Sequence, residues 1–325
     1  MAGINLREMP YMREREKAGR FGPLYMLAAA VLFSTGGLLC KLIPWSALAI
    51  CGVRSLIAAG VIGAYLAVRR HRPVFNRCTA VGAVCYVGTT TLFVMANKMT
   101  TAANAIVLQY AAPVWIMVMM ALFFGQKPRK AEIITIAVVL AGIVCFFCDS
   151  LAAGSLWGDL LALISGVFYA GLFILNSFEE GDTLSALLLG QLVSGVAFTP
   201  FLARETDFSA PVLLIAIVMG LIQLGAAYVF FSEGTALTPP VTASLICTVE
   251  PILNPILVAI VLRETVTPLS LFGAAVVVLA IVWYNVWKAR SRPGPNEGGP
   301  SAEGRKEAGV NQAGQQGGGQ AQGQP

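Results

Sequence analysis

Ten runs of roughly twenty mainly apolar residues, parted by short charged or turn-forming clusters, constrain this chain more than any single motif does. A hydrocarbon core about 30 Å thick is crossed by about 20 helical residues, and a backbone in lipid must satisfy its own N–H and C=O groups. The runs lack the apolar–polar alternation, about ten residues long, that marks a membrane β-barrel strand. The sequence therefore predicts an all-α membrane protein with ten transmembrane helices. They fall near 22–43, 45–67, 78–97, 101–124 and 131–148, then 156–176, 183–202, 211–232, 239–262 and 268–288. Only 12% of the 325 residues are charged, against about a quarter in a soluble domain. Gly and Ala recur in the runs, as in "LAAGVIGAYL", which suits close helix packing in lipid.

The basic residues set the expected orientation. Residues 1–21 supply five Lys/Arg, the 69–77 segment "RRHRPVFNR" four, "KPRK" at 127–130 three, and the C-terminal segment five. Lys41, Lys98, Arg204 and Arg263 fall on the other side, and Arg54 lies inside a run. Both termini are thus expected in the cytoplasm, in a multi-pass protein of the plasma (cell inner) membrane. Residues 1–21 are expected to form a cytoplasmic arm without a cleavable signal, and 289–325, rich in Gly, Gln and Pro, a disordered cytoplasmic tail. The net charge of +5 follows from topology and does not imply a nucleic-acid partner.

Between arm and tail the chain repeats itself. A shift of 138 residues lays Gly82 on Gly220, Thr100 on Thr238, Ala105 on Ala243 and Pro113 on Pro251. It also lays the "AVV" at 137–139 on the "AVV" at 275–277. The expected units are 22–148 and 149–288, each of five spans. An odd span count forces the two copies into opposite orientations, an arrangement used by secondary transporters with a midplane site between the copies.

Several stretches resemble the ten-span EamA-type branch of the drug/metabolite transporter superfamily. The second half carries "TVEPILNPILVAIVLRETVTPLSLFGAAVVVLAIV", with an acidic residue before proline, a glutamate-containing turn and a Gly-bearing last span. The first half keeps the proline in "LQYAAPVWIMVMMALFFGQKPRK" but has Ala112 where Glu250 aligns and Gln126 where Glu264 aligns. "STGG" and "GVRSLIAAG" are also similar to the family. The resemblance implies two inverted five-helix repeats and a transport role, and it leaves the substrate open.

The residues themselves point to a site in the centre. Arg54 and Glu250 fall near the middle of their spans, where a lipid-facing charge costs about 2.5–3.5 kcal/mol. They must face protein or a wet cavity, either as contacts for substrate and protons or as a structural Arg54–Glu250 pair. Pro251 and Pro255 cannot donate to the carbonyls of Cys247 and Pro251, and Pro113 cannot donate to that of Gln109. Freed carbonyls at that depth belong beside a cavity or buried against protein. Asn104, Gln109, Tyr110, Trp115 and Asn254 are candidates to line the same space, while Gln191, Gln223, Tyr86, Tyr169 and Tyr228 read as helix ties, aromatic walls or packing.

No His lies in a span and no GxxxxGK[ST] loop occurs, so catalysis and ATP-driven transport find no support. The seven cysteines show no metal or disulfide spacing, and no metal or cofactor is expected. The expected function is alternating-access export or exchange of a small organic metabolite such as an amino acid, with proton coupling through Glu250 left open. Partners are the solute and the lipid bilayer, the protein acting as a monomer or homodimer. The alternative is a transporter of cationic drug-like, polyamine or lipid-linked solutes, or a channel.

Overall fold

A computed structural model describes residues 21–125, 130–153, 155–263 and 267–290. The N-terminal arm, most of the "KPRK" segment, Gln126, Glu264 and the tail beyond 290 lie outside the described residues.

The helices are α1 (Gly22–Phe33), α2 (Gly36–Leu42), α3 (Ala47–Arg69), α4 (Arg77–Met99), α5 (Ala102–Gln109), α6 (Ala112–Phe124) and α7 (Lys130–Ala153). They continue as α8 (Leu156–Ile174), α9 (Thr183–Phe198), α10 (Ala210–Val218), α11 (Ala227–Leu237), α12 (Pro240–Ile246), α13 (Glu250–Leu262) and α14 (Pro268–Arg290). Among the described residues there is no strand. These helices form ten crossings: α1–α2 make span 1, α5–α6 span 4, α10–α11 span 8 and α12–α13 span 9, and each other helix is a span. Among the described residues, eight of these crossings are long and apolar enough to span a membrane. Spans 5 and 10 carry shorter apolar stretches, Ile133–Gly142 and Leu271–Tyr284, inside helices of 24 and 23 residues.

Three departures from the sequence reading have local causes. Span 1 breaks at Ser34–Thr35, where the hydroxyls donate to the carbonyls of Val31 and Leu32 at 2.6 and 2.7 Å. Such hydroxyls compete with the helical ladder for the same acceptors. Span 8 passes through a π-helical stretch at Met219–Ala226. It also continues to Leu237 instead of ending near 232, because polar Glu233 is satisfied by the Tyr65 hydroxyl at 2.8 Å.

Loop contacts sort the chain ends of the spans into two faces. On the near face, where span 1 begins, His71 meets Asp182 at 2.7 Å and Asn76 donates to the Glu180 carbonyl at 2.8 Å. On the far face, the Trp45 indole donates to the Asp207 carbonyl at 2.7 Å, and Lys98 donates to the Ile43 carbonyl at 2.6 Å. Lys41 donates to the Thr100 carbonyl there at 3.0 Å, so both lysines tie helix ends together. This alternation is what a chain crossing back and forth must produce.

The 138-residue repeat is written into the element boundaries. α6 and α13 each have 13 residues and match at both ends, Ala112 on Glu250 and Phe124 on Leu262. The residues that close them, Gly125 and Arg263, are also mates, and both are left-handed, with φ of 63° and 52°. Packing obeys the same exchange. Span 3 packs on span 6 as span 8 packs on span 1, span 3 on span 7 as span 8 on span 2, and span 4 on span 6 as span 9 on span 1. Spans 4 and 9 meet head to tail, α5 against α13 and α6 against α12. The two units are therefore inverted copies related by a pseudo-two-fold axis through that crossing.

One mate pair yields a stability prediction. A side chain in the left-handed region costs about 1–2 kcal/mol, which glycine avoids at some cost in unfolded-chain entropy. Arg263→Gly should stabilise the exposed cap by roughly 0.5–1 kcal/mol, read as a raised melting temperature in detergent; a lowered one would show that the arginine side chain makes a stronger compensating contact.

Candidate solute-binding site

The site grows out of the two broken spans. Pro113 and Pro251 each sit in the first turn of a half-helix, where proline's missing N–H costs no ladder bond. The chain enters α6 through Tyr110–Ala111 and enters α13 through a 3₁₀ turn, Cys247–Val249. The carbonyl of Gln109, which Pro113 cannot engage, lies against Gly166 of α8, so close that a Cβ there would sit 2.6 Å from it. That freed oxygen is packed against protein, one of the two fates a membrane interior allows.

At the crossing of the broken spans, Tyr110 donates a hydrogen bond of 2.6 Å to Glu250 Oε2. Glu250 is only 5% exposed and Arg54 only 3%. Both line one central cavity of about 30 Å³, together with Gln109, Gln223, Thr89, Thr90, Phe93 and the rings of Phe33, Tyr169 and Tyr228. A water needs roughly 10–15 Å³ of such space, so this opening admits water and is too small for an organic solute. Among the described residues Arg54 and Glu250 make no ion pair: the guanidinium donates to the Thr90 carbonyl at 3.4 Å, and its Nε has no partner there. The structure thus places a guanidinium and a carboxyl group on one buried cavity without joining them.

A cluster of rings packs on the near-face side of the cavity. Phe33 and Tyr228 meet edge to face at 4.8 Å, and Tyr169, Phe173 and Phe231 pack at centroid distances of 4.9–6.0 Å. Tyr110 joins them through Tyr169 at 6.0 Å.

Of the residues singled out from sequence, Arg54, Gln109 and Glu250 line the cavity, and Tyr110 holds Glu250. The Gln109 amide donates to Ser165 at 3.2 Å. Others lie elsewhere. The Asn104 amide is 3.5 Å from Asp159, near the start of α5. Asn254 is fully buried one turn beyond Glu250, where its amide fills the place a Cβ on Gly37 would take. Trp115 is partly exposed, with a buried indole N–H. Pro255 lies within α13. Sequence reasoning left out Phe33, Thr89, Thr90 and Phe93, read Gln223 as a helix tie, and left Tyr169 and Tyr228 open between aromatic walls and packing. The glycines flanking Gln223, Gly220 and Gly225, sit inside the π-helical stretch and were the available signal.

Inverted five-span repeats, with two broken helices crossing at a buried charged cavity, define a membrane transporter of small solutes. The chain belongs to the EamA-like transporter family, which matches it twice, over residues 20–148 and 156–286. It is 26% identical over 279 residues to the Bacillus subtilis (strain 168) protein named as the uncharacterized transporter YwfM, covering 81% of this chain and 93% of that one. It is also 26% identical over 257 residues to the uncharacterized inner membrane transporter YedA of Escherichia coli (strain K12), covering 75% and 83%. A solved structure titled only as the crystal structure of a protein superposes with a TM-score of 0.63 at 18% identity, over 86% of this chain and 100% of its own.

Proposed function

We propose that this transporter carries a small zwitterionic metabolite of the amino-acid type, by alternating access, across the plasma membrane with both termini in the cytoplasm. The observation behind the reading is the unjoined guanidinium and carboxyl group on one cavity. Arg54 would take the solute carboxylate and Glu250 its ammonium, each now hydrogen-bonded to a neutral partner, Thr90 or Tyr110. A buried charge left without a counter-charge is costly, and a zwitterion relieves both costs at once. The cavity must widen to admit it, which the interruptions of spans 1, 4 and 9 support, since a broken helix can move by halves. The positive-side count of Lys and Arg supports the orientation.

The rings around Glu250 favour a second reading, an organic cation held by the carboxylate and by cation–π contact. Counterflow in proteoliposomes, against panels of amino acids and of organic cations, separates the two. Saturable exchange of an amino acid is the expected result, and exchange of cations alone would replace the first reading with the second. Repeating the assay with an imposed pH gradient reads out whether protons are coupled.

A further inference from the structure

On the outer wall of the bundle, apart from the central cavity, spans 3, 4 and 6 leave a groove of about 730 Å³. Val81, Cys85, Met119 and Phe123 form its walls, and Arg77, Glu179 and Glu180 stand at its mouth. Val81 is 61% and Phe123 63% exposed, so the groove opens outward to the bilayer. Its inner end is shut where span 3 touches span 6: a Cβ on Gly171 would lie 2.6 Å from Cys85 Sγ. From Arg77, the first residue of α4, to Cys85 the groove runs eight residues down one helix, about 12 Å from the near face into hydrocarbon.

An apolar groove in lipid gains nothing from apolar contact alone, because acyl chains are already in an apolar medium. Any preference must come from the mouth. There one guanidinium and two carboxylates lie together, and among the described residues none of the three forms an ion pair. Their charges match a headgroup that carries a phosphate and a primary ammonium. Arg77 suits the phosphate, since guanidinium–phosphate bonds are charge-assisted and geometrically matched. Glu179 and Glu180 suit an ammonium that has N–H donors to give. A choline head has a cation but no N–H, and a glycerol head has neither and would meet two like charges.

We propose that this groove is a binding site for one glycerophospholipid of the phosphoethanolamine type, its acyl chain between spans 3, 4 and 6 and its head on Arg77, Glu179 and Glu180. The proposal does not depend on the solute reading. The site bears on span 4, because Met119 and Phe123 belong to α6, the half-helix that follows the Tyr110 break.

Native mass spectrometry of the purified full-length protein, in micelles with equal amounts of phosphatidylethanolamine, phosphatidylcholine and phosphatidylglycerol, tests it. Retention of the ethanolamine lipid about tenfold above the other two is expected, equivalent to about 1.4 kcal/mol. The double variant Glu179→Gln, Glu180→Gln should erase the preference, and Val81→Trp, on an exposed wall where folding is not at stake, should remove the retained lipid. Equal retention of the three lipids, a preference for phosphatidylglycerol, or an ethanolamine preference that survives both variants would overturn the proposal.

Discussion

Glu250→Gln is expected to cut solute flux by at least about 30-fold while leaving the protein folded. The amide carbonyl can still accept the Tyr110 hydrogen bond that Glu250 now receives at 2.6 Å, so the local scaffold survives. What is lost is the negative charge, and truncating one partner of a buried charged contact costs about 2–5 kcal/mol, of which 2 is a factor of about 30. Flux into proteoliposomes and a melting curve in detergent should be measured on the same preparation. Wild-type flux in the variant would remove Glu250 from the site, and a collapsed melting curve would make it structural.

Arg54→Met should move stability and transport in opposite directions. Arg54 is 3% exposed and forms no ion pair among the described residues, and replacing a buried charge by an apolar side chain of similar volume is often neutral or stabilising, by up to about 1–4 kcal/mol. The melting temperature should hold or rise while flux is lost. For the same reason, the exchanged pair Arg54→Glu with Glu250→Arg should stay inactive, because the two groups are not joined in the wild type. Restored flux in the exchanged pair would mean that they serve as a lock and that the solute contacts lie elsewhere.

The sequence carried the architecture well because its signals were physical and repeated. Apolar length fixed the crossings to within a few residues, and the 138-residue offset foretold the mated half-helices α6 and α13 with their prolines. The charged centre was also legible, since Arg54 and Glu250 are too deep to be surface residues. Less legible was which neutral residues stand around them. Thr89 and Thr90 look like ordinary helix residues in a row, and their place on the cavity depends on how span 3 is rotated against span 6. Asn254 and Asn104 failed to join the cavity for the converse reason: a polar residue in an apolar run can be buried against a glycine, as Asn254 is on Gly37, without facing open space. The span 1 break came from two hydroxyls turning back on their own helix, a local competition that hydropathy does not register.

The repeat is faithful in backbone and unequal in side chains, and that inequality has an energetic outcome. Phe231 of the near-face ring cluster has Phe93 as its mate, but Tyr228 maps onto Thr90, Phe33 onto Gly171 and Tyr169 onto Val31. Under the proposed alternating access, exchanging the shapes of the two units would put one ring on the far side of the cavity where the near side now has several. Each aromatic pair is worth about 0.5–1.5 kcal/mol beyond its area, so the two extremes of such a cycle are not isoenergetic. On the alternating-access reading proposed above, the empty carrier rests shut on the near face, and solute binding supplies the free energy that unstacks the rings.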